Sequence, residues 1–442
     1  MNTRKLAFLS LLLLLALAAT TTEAWASGDE HGGHIQVANV LFALVILLLA
    51  AKVGGELFER WNQPAVLGEL VFGVILGNLT LIGFSALDPI KTHAGIAFAA
   101  EIGVILLLFE VGLESNLDEL LAVGSSAALV AALGVVAPVL LGYGVSAWFL
   151  PESAWYVHLF VGATLAATSV GITARVLKDI GKMNTPEARI ILGAAVVDDV
   201  LGLIILAVVS GLVTSMDAGG GSEISLIPVL KIIGKAVAFL GIAVVAGRAL
   251  AGKVLHLGSF ARVAGMPIIL TVSYCFVVAG IAEVVGLAPI VGAFAAGLVL
   301  DNAHYKGYAS MRERKIEDLL APLSTTLVPV FFVLMGLKVD LAAFGSSSVL
   351  QFAAVLSLAA IAGKQICSLG VLEKGLNRLV IGVGMIPRGE VGLIFAGIGA
   401  SLSVSGVPVF SSETFSAMVV MVMVTTLATP PLLKTLFGKS KN

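Results

Sequence analysis

Long apolar runs recur along the chain, each near the length a bilayer demands, with short polar stretches between them. They lie near 37–55, 64–83, 94–113, 121–150, 157–177, 188–212, 226–250, 266–285, 288–303, 317–337, 348–372, 378–404 and 414–435. Read as helices, they predict about thirteen transmembrane spans. The runs are continuous rather than alternating over short strands, which excludes a membrane barrel.

Composition sharpens the class. Hydrophobic residues make up 58% of the chain and charged residues only 12%. A soluble domain carries roughly twice that charge. Mean hydropathy is +1.05. The fold class is therefore an all-α polytopic membrane protein set in a lipid bilayer. No large soluble loop and no nucleic-acid footprint interrupts it. Cys275 and Cys367 fall inside predicted spans and read as packing residues.

Residues 1–26 have the features of a signal peptide. Arg4 and Lys5 form a basic start, Leu11–Ala18 an apolar core and Ala24-Trp25-Ala26 a small-x-small cleavage site. Whether cleaved or kept as an anchor, this segment places the residues after it outside. Residues 27–36 read as a periplasmic tail, and its His31 and His34 are too few to hold a metal. Residues 37–437 form the transmembrane domain. With the tail outside, predicted inner loops carry most of the basic residues, among them Arg60, Arg175, Lys182, Arg189, Arg248, Arg312, Lys374 and Lys434. The outer loops carry little beyond Lys91 and Lys338. By the positive-inside rule the C-terminus is cytoplasmic and the membrane is the inner, plasma membrane.

Chemistry concentrates where polar groups interrupt the apolar runs. Asp198 and Asp199 are adjacent in the middle of the sixth span. One Asp at a helix centre costs about 2.5–3.5 kcal/mol on insertion scales, so two mark an ion or proton path. Successive helical residues point about 100° apart, so the two are expected in different environments, one wet and one packed. In the fifth span, Ala166-Ala167-Thr168-Ser169-Val170-Gly171 suits a helix that opens, or equally ordinary small-residue packing. In the twelfth, Gly384-Met385-Ile386-Pro387-Arg388-Gly389-Glu390 combines a missing donor, two glycines and two ionisable groups. Lys364 is expected about a dozen residues or more from either end of the eleventh span, with Asp198 as its natural partner. Glu69, Glu101, Glu110 and Glu283 read as end-packing or polar contacts. Pro138, Pro289 and Pro329 are expected to kink their helices.

Spans four to six and eleven to thirteen match in kind, with the interrupted span in the middle of each triplet. The triplets are seven spans apart, an odd number, so matching helices run in opposite directions. Inverted repeats with two crossed broken helices, and a site at their crossing, are the pattern of secondary transporters.

These residues resemble the monovalent cation:proton antiporter-2 family of bacteria. The likeness rests on Gly68-Glu69 with Gly73, Ala167-Thr168-Ser169, Val197-Asp198-Asp199, Phe331-Phe332 with Gly336, Gly363-Lys364 and Pro387-Arg388-Gly389-Glu390-Val391-Gly392. It covers nearly all of the chain after the signal segment. The resemblance implies a homodimer, each copy having a dimerisation half and a moving core. It implies that Asp199 binds the transported cation, Na+ or K+, or protons in alternation. It further implies that Asp198 pairs with Lys364, that Thr168 and Ser169 line the ion path, that Glu390 lies near the crossing and that Arg388 is structural. Relatives with the Asp pair and a core lysine are expected to be electrogenic.

The function expected is exchange of a monovalent cation for protons by alternating access, with no cofactor beyond the transported ions. A proton-gated cation channel and a sodium-coupled symporter are the alternatives on the same fold. No nucleophile–base pair or metal cluster suggests an enzyme.

Overall fold

The computed structural model describes residues 37–61, 63–114, 124–217, 234–247, 266–300 and 316–439. The signal-peptide and tail segments, the basic residues Arg248 and Arg312, and the Glu390 side chain lie outside the described residues.

In chain order the helices are α1 (Val37–Arg60), α2 (Ala65–Gly77), α3 (Asp88–Thr92), α4 (Ala94–Glu114), α5 (Ser125–Phe149), α6 (Trp155–Ala166), α7 (Val170–Asp179) and α8 (Pro186–Asp217). Then come α9 (Gly234–Gly247), α10 (Met266–Val285), α11 (Pro289–Val299), α12 (Ile316–Leu337), α13 (Ser347–Cys367), α14 (Arg378–Gly384), α15 (Gly389–Ser401) and α16 (Ser412–Lys439). A two-stranded hairpin, β1 (Ser403–Val404) with β2 (Val407–Pro408), joins the last two, pairing Ser403 with Pro408. Its turn puts Ser405 and Gly406 in the left-handed region.

Every predicted apolar run finds its helix among the described residues. Among the described residues, eight helices are long and apolar enough to cross a membrane. Others are shorter than the runs that predict them. At 13 residues, α2 spans about 20 Å, less than a hydrocarbon core of about 30 Å. Asn78 ends it: its Nδ2 donates to Val74 O and to Val339 O, both at 2.8 Å, drawing the chain sideways. Two runs are split, into α6 with α7 and into α14 with α15.

One expectation about proline is corrected. Pro138 and Pro329 do lie inside α5 and α12. Pro289 instead opens α11. There its missing N–H falls among donors that have no helical partner anyway, so it starts a helix rather than bending one.

The chain folds as two compact units. One comprises Met1–Val104 with Ala321–Ser346. Within it α1 meets α2 at Gly54 and Gly68, and α2 meets α12 where Gly73 lies against Val333 and Gly336 against Leu70. A side chain at any of these glycines would strike main chain, so small residues set how closely the helices approach.

The other unit comprises Ile105–Leu320 with Ser347–Asn442. It contains two matching triplets, each a long helix, a split helix and a long helix: α5, α6/α7, α8 and α13, α14/α15, α16. The leading helices α5 and α13 pack on each other, with Gly363 seated on Pro138. The triplets interlock: α14 packs on α8 of the first triplet as well as on α13 and α16 of its own, and α7 packs on α16 of the second as well as on α8 of its own. Ala131, Leu177, Ala194, Ile381 and Leu433, from five of these helices, share one buried apolar cluster. That interlocking brings the two interruptions together.

Candidate functional site

The first interruption is Ala167-Thr168-Ser169, between α6 and α7. The second is Met385-Ile386-Pro387-Arg388, between α14 and α15. Pro387 has no N–H to continue the ladder and forces Ile386 out of helical geometry. Gly389 follows with φ 43°, in the left-handed region where glycine is at ease, and a β-carbon there would sit 2.5 Å from Ser169 Oγ.

The interruptions are bonded to each other. Ser169 N donates to Pro387 O at 2.8 Å, and Thr173 Oγ1, in the first turn of α7, donates to Gly384 O at 2.6 Å. Arg388 serves the neighbouring carbonyls. Its Nη1 donates to Met385 O (3.3 Å) and Ile386 O (2.9 Å), and its Nη2 to Ala360 O of α13 (3.0 Å). Thr426 Oγ1 of α16 accepts from Gly389 N at 3.0 Å. A fully buried guanidinium is thus placed where the carbonyl end of a helix concentrates negative partial charge.

Beside the first interruption stand the charges. Lys364 Nζ lies 3.0 Å from Asp198 Oδ1, with the two side chains 0% and 1% exposed. Gly134 of α5 leaves space for this pair: a β-carbon there would lie 3.4 Å from Nζ and 3.8 Å from Oδ1. Among the described residues, Asp198 Oδ2 and Thr168 Oγ1 are buried with no hydrogen-bond partner. Unpaired buried oxygens of this kind are costly and call for an explanation. Both residues line a small cavity of about 20 Å³, room for about one water, together with Asp199. The rest of its wall is apolar and includes Leu203, Phe294, Val391 and Phe395.

The structure bears on two expectations here. Asp198 is buried with Lys364 on one of its oxygens and Asp199 is half-buried, yet both line the same cavity. Lys364 is not in the middle of its helix but in the last turn of α13. It is buried all the same, because α5 and α8 cover that end. The structure places Thr168, Ser169, Asp198, Asp199, Lys364 and Arg388 in one region of this unit. Glu101 and Glu283 are exposed, Glu110 is half-buried and Glu69 is buried in the other unit. Among the described residues, no group of three or more His, Cys, Asp or Glu is placed to hold a metal ion.

Sequence reasoning passed over Thr173, Thr426 and Gly134. Threonine in an apolar span usually bonds back to its own helix, as Thr425 does to Met421 O at 2.9 Å. Only the interlocked packing turns Thr173 and Thr426 outward. Gly134 carries no signal distinct from any other membrane glycine.

Two interrupted helices bonded at their breaks, beside an intramembrane ion pair and a small cavity with unpaired oxygens, define a secondary transporter built on inverted repeats. The profile of the family described as "Sodium/hydrogen exchanger, transmembrane" matches residues 43–437, and the chain belongs to that family. Among its relatives is the high-affinity Na(+)/H(+) antiporter NhaS3 of Synechocystis sp., 39% identical over 92% of this chain and 91% of that protein. The Na(+)/H(+)-K(+) antiporter GerN of Bacillus cereus is 35% identical over 90% of this chain and 96% of its own length. The fold matches that of the sodium proton antiporter MjNhaP1 from Methanocaldococcus jannaschii, with TM-score 0.70 and 18% identity over 91% of this chain and 98% of that one.

Proposed function

We propose that this protein exchanges a monovalent cation, sodium or potassium, for protons across the bacterial inner membrane by alternating access. The observation that carries the reading is the cavity in which Asp199, Asp198 Oδ2 and Thr168 Oγ1 gather, with Lys364 on the other oxygen of Asp198. The names of NhaS3 and GerN support the same chemistry.

Coupling follows from competition. Asp199 holds a proton or a cation, but not both at once. Lys364 keeps Asp198 oriented and balances its charge, which leaves Asp199 as the exchanging group. Thr168 supplies a neutral oxygen, and Ser169 holds the interruption in place. Arg388 keeps the second interruption intact, while Glu390 stands next to it in sequence. Cation arrival then displaces a proton, and acidity opposes cation binding. The exchange is electrogenic in this reading, and the working assembly is a homodimer. The signal segment is removed, the N-terminus is periplasmic and the C-terminus cytoplasmic.

The test is purified protein in proteoliposomes with a pH-sensitive dye inside. An imposed cation gradient should drive protons uphill, and Asp199→Asn should abolish that movement while the purified variant unfolds at the normal temperature. Undiminished exchange by Asp199→Asn would overturn the assignment.

A further inference from the structure

The buried glycines of the larger unit differ in what a side chain would meet. At Gly142 a β-carbon would come 2.8 Å from Gly162 Cα, at Gly363 2.9 Å from Pro138 Cα, and at Gly399 2.6 Å from the Phe410 ring. Close packing accounts for those. Gly202 is different. It is buried in α8, yet a β-carbon there would find within 4 Å only Phe395 Cζ, at 3.8 Å, an ordinary contact. Nothing in the packing requires glycine, and glycine is the poorest choice after proline for the interior of a helix.

Its position suggests another reason. Gly202 follows Asp199 by three residues and Asp198 by four, so on the helix surface it neighbours both. It lines the same cavity as both carboxylates and Thr168. Hard cations in proteins take roughly six oxygen ligands. Side chains in this cavity offer fewer: the Asp199 carboxylate, Asp198 Oδ2 and Thr168 Oγ1. Water must complete the shell, and the cavity has room for about one.

We propose that Gly202 is a specificity-determining position: the space over its Cα, bounded by Phe395, seats a water that stays on the cation, and the size of that space sets which monovalent cation fits. The inference rests on the exchanger reading. A water there would complete the shell of an ion held in the cavity. Filling the space with carbon removes a ligand and volume together. That handicaps K+ most and Li+, which is content with fewer ligands, least.

The experiment compares the parent protein with Gly202→Ala, Gly202→Ser and Phe395→Leu in proteoliposomes, measuring half-saturating concentrations of Li+, Na+ and K+. Unfolding temperatures of the purified proteins serve as the folding control. Gly202→Ala should raise the K+ to Li+ ratio of half-saturating concentrations by about tenfold, since one methyl in a close pocket discriminates on that order. Gly202→Ser, whose hydroxyl can replace the water, should keep Na+ within about threefold of the parent. Phe395→Leu should move the ratio the other way. Unchanged ratios in all three variants, or equal weakening toward all three ions, would overturn the proposal. Should Gly202→Ala fail to fold, an unchanged ratio in Phe395→Leu overturns it as well. A parent protein that moves no protons with any cation would instead sink the exchanger reading, so the two failures are told apart.

Discussion

The two interruptions are built from similar sequence features but are completed differently. At the second, the groups freed by the break are occupied by protein. Gly384 O is taken by Thr173, Met385 O and Ile386 O by Arg388, Pro387 O by Ser169 N, and Gly389 N by Thr426. Of the polar atoms there, Arg388 Nε has no partner among the described residues. At the first, Thr168 Oγ1 is left unpaired among the described residues, and Thr168 lines the cavity of the two carboxylates. A broken helix in a membrane must satisfy its backbone from within the protein or at a cavity. The second break does the former, with side chains from α7, from α16 and from the break itself. The first keeps an oxygen in reserve, and the price is a buried acceptor that helps folding not at all.

The largest way to break this contrast is to empty the second interruption. Arg388→Leu leaves three buried carbonyls without that donor, and each such loss costs about 1–3 kcal/mol. The variant should unfold at a far lower temperature than the parent in a thermal scan of the detergent-solubilised protein. A change too small to measure would mean that Arg388 is not what holds the break. A sharper comparison sets two threonines side by side. Thr173→Val removes a 2.6 Å bond across the breaks and should cost about 1 kcal/mol. Thr168→Val removes an oxygen that bonds nothing among the described residues. It should leave the unfolding temperature unchanged or slightly higher, while the half-saturating cation concentration rises several-fold. Equal stability loss in both would erase the distinction between the breaks.

The smallest expected effect lies outside both breaks, where Ser126 at the start of α5 meets Glu373 beyond the end of α13. The Ser126 hydroxyl donates to Glu373 Oε2 at 2.5 Å and, with nearby backbone N–H groups, holds this carboxyl below the ordinary carboxylate range. A carboxyl lowered in the folded state stabilises above its unfolded value, and that contribution disappears as pH falls through the folded one. Ser126→Ala should therefore lower the unfolding temperature slightly near neutral pH and by less in strong acid. The same shift at every pH would show that Ser126 matters only through its bond from Leu372 N.

Much of the site was legible along the chain. The Asp pair is visible because ionisable groups in an apolar run are expensive, and the second interruption because Pro387 and its flanking glycines cannot continue a helix. The first is visible more faintly, since Thr168 and Ser169 could sit in an unbroken helix. The shared cavity of the two carboxylates was not legible. A 100° step between neighbours says they point apart, yet a single cavity receives both. Nor does counting residues give the depth of Lys364, whose burial comes from helices distant in the chain.

Hydropathy, helix-breaking residues and buried charge are properties of short segments, and from them the sequence alone determined the membrane class, the helices and the two places where they open. Which oxygens would be used up and which left over depended on contacts between residues far apart, such as Asp198 with Lys364 and Ser169 with Pro387. Those contacts exist only once the two triplets have interlocked. That packing left Thr168 Oγ1 and one oxygen of Asp198 buried without a partner among the described residues, in side chains that line the same cavity as Gly202.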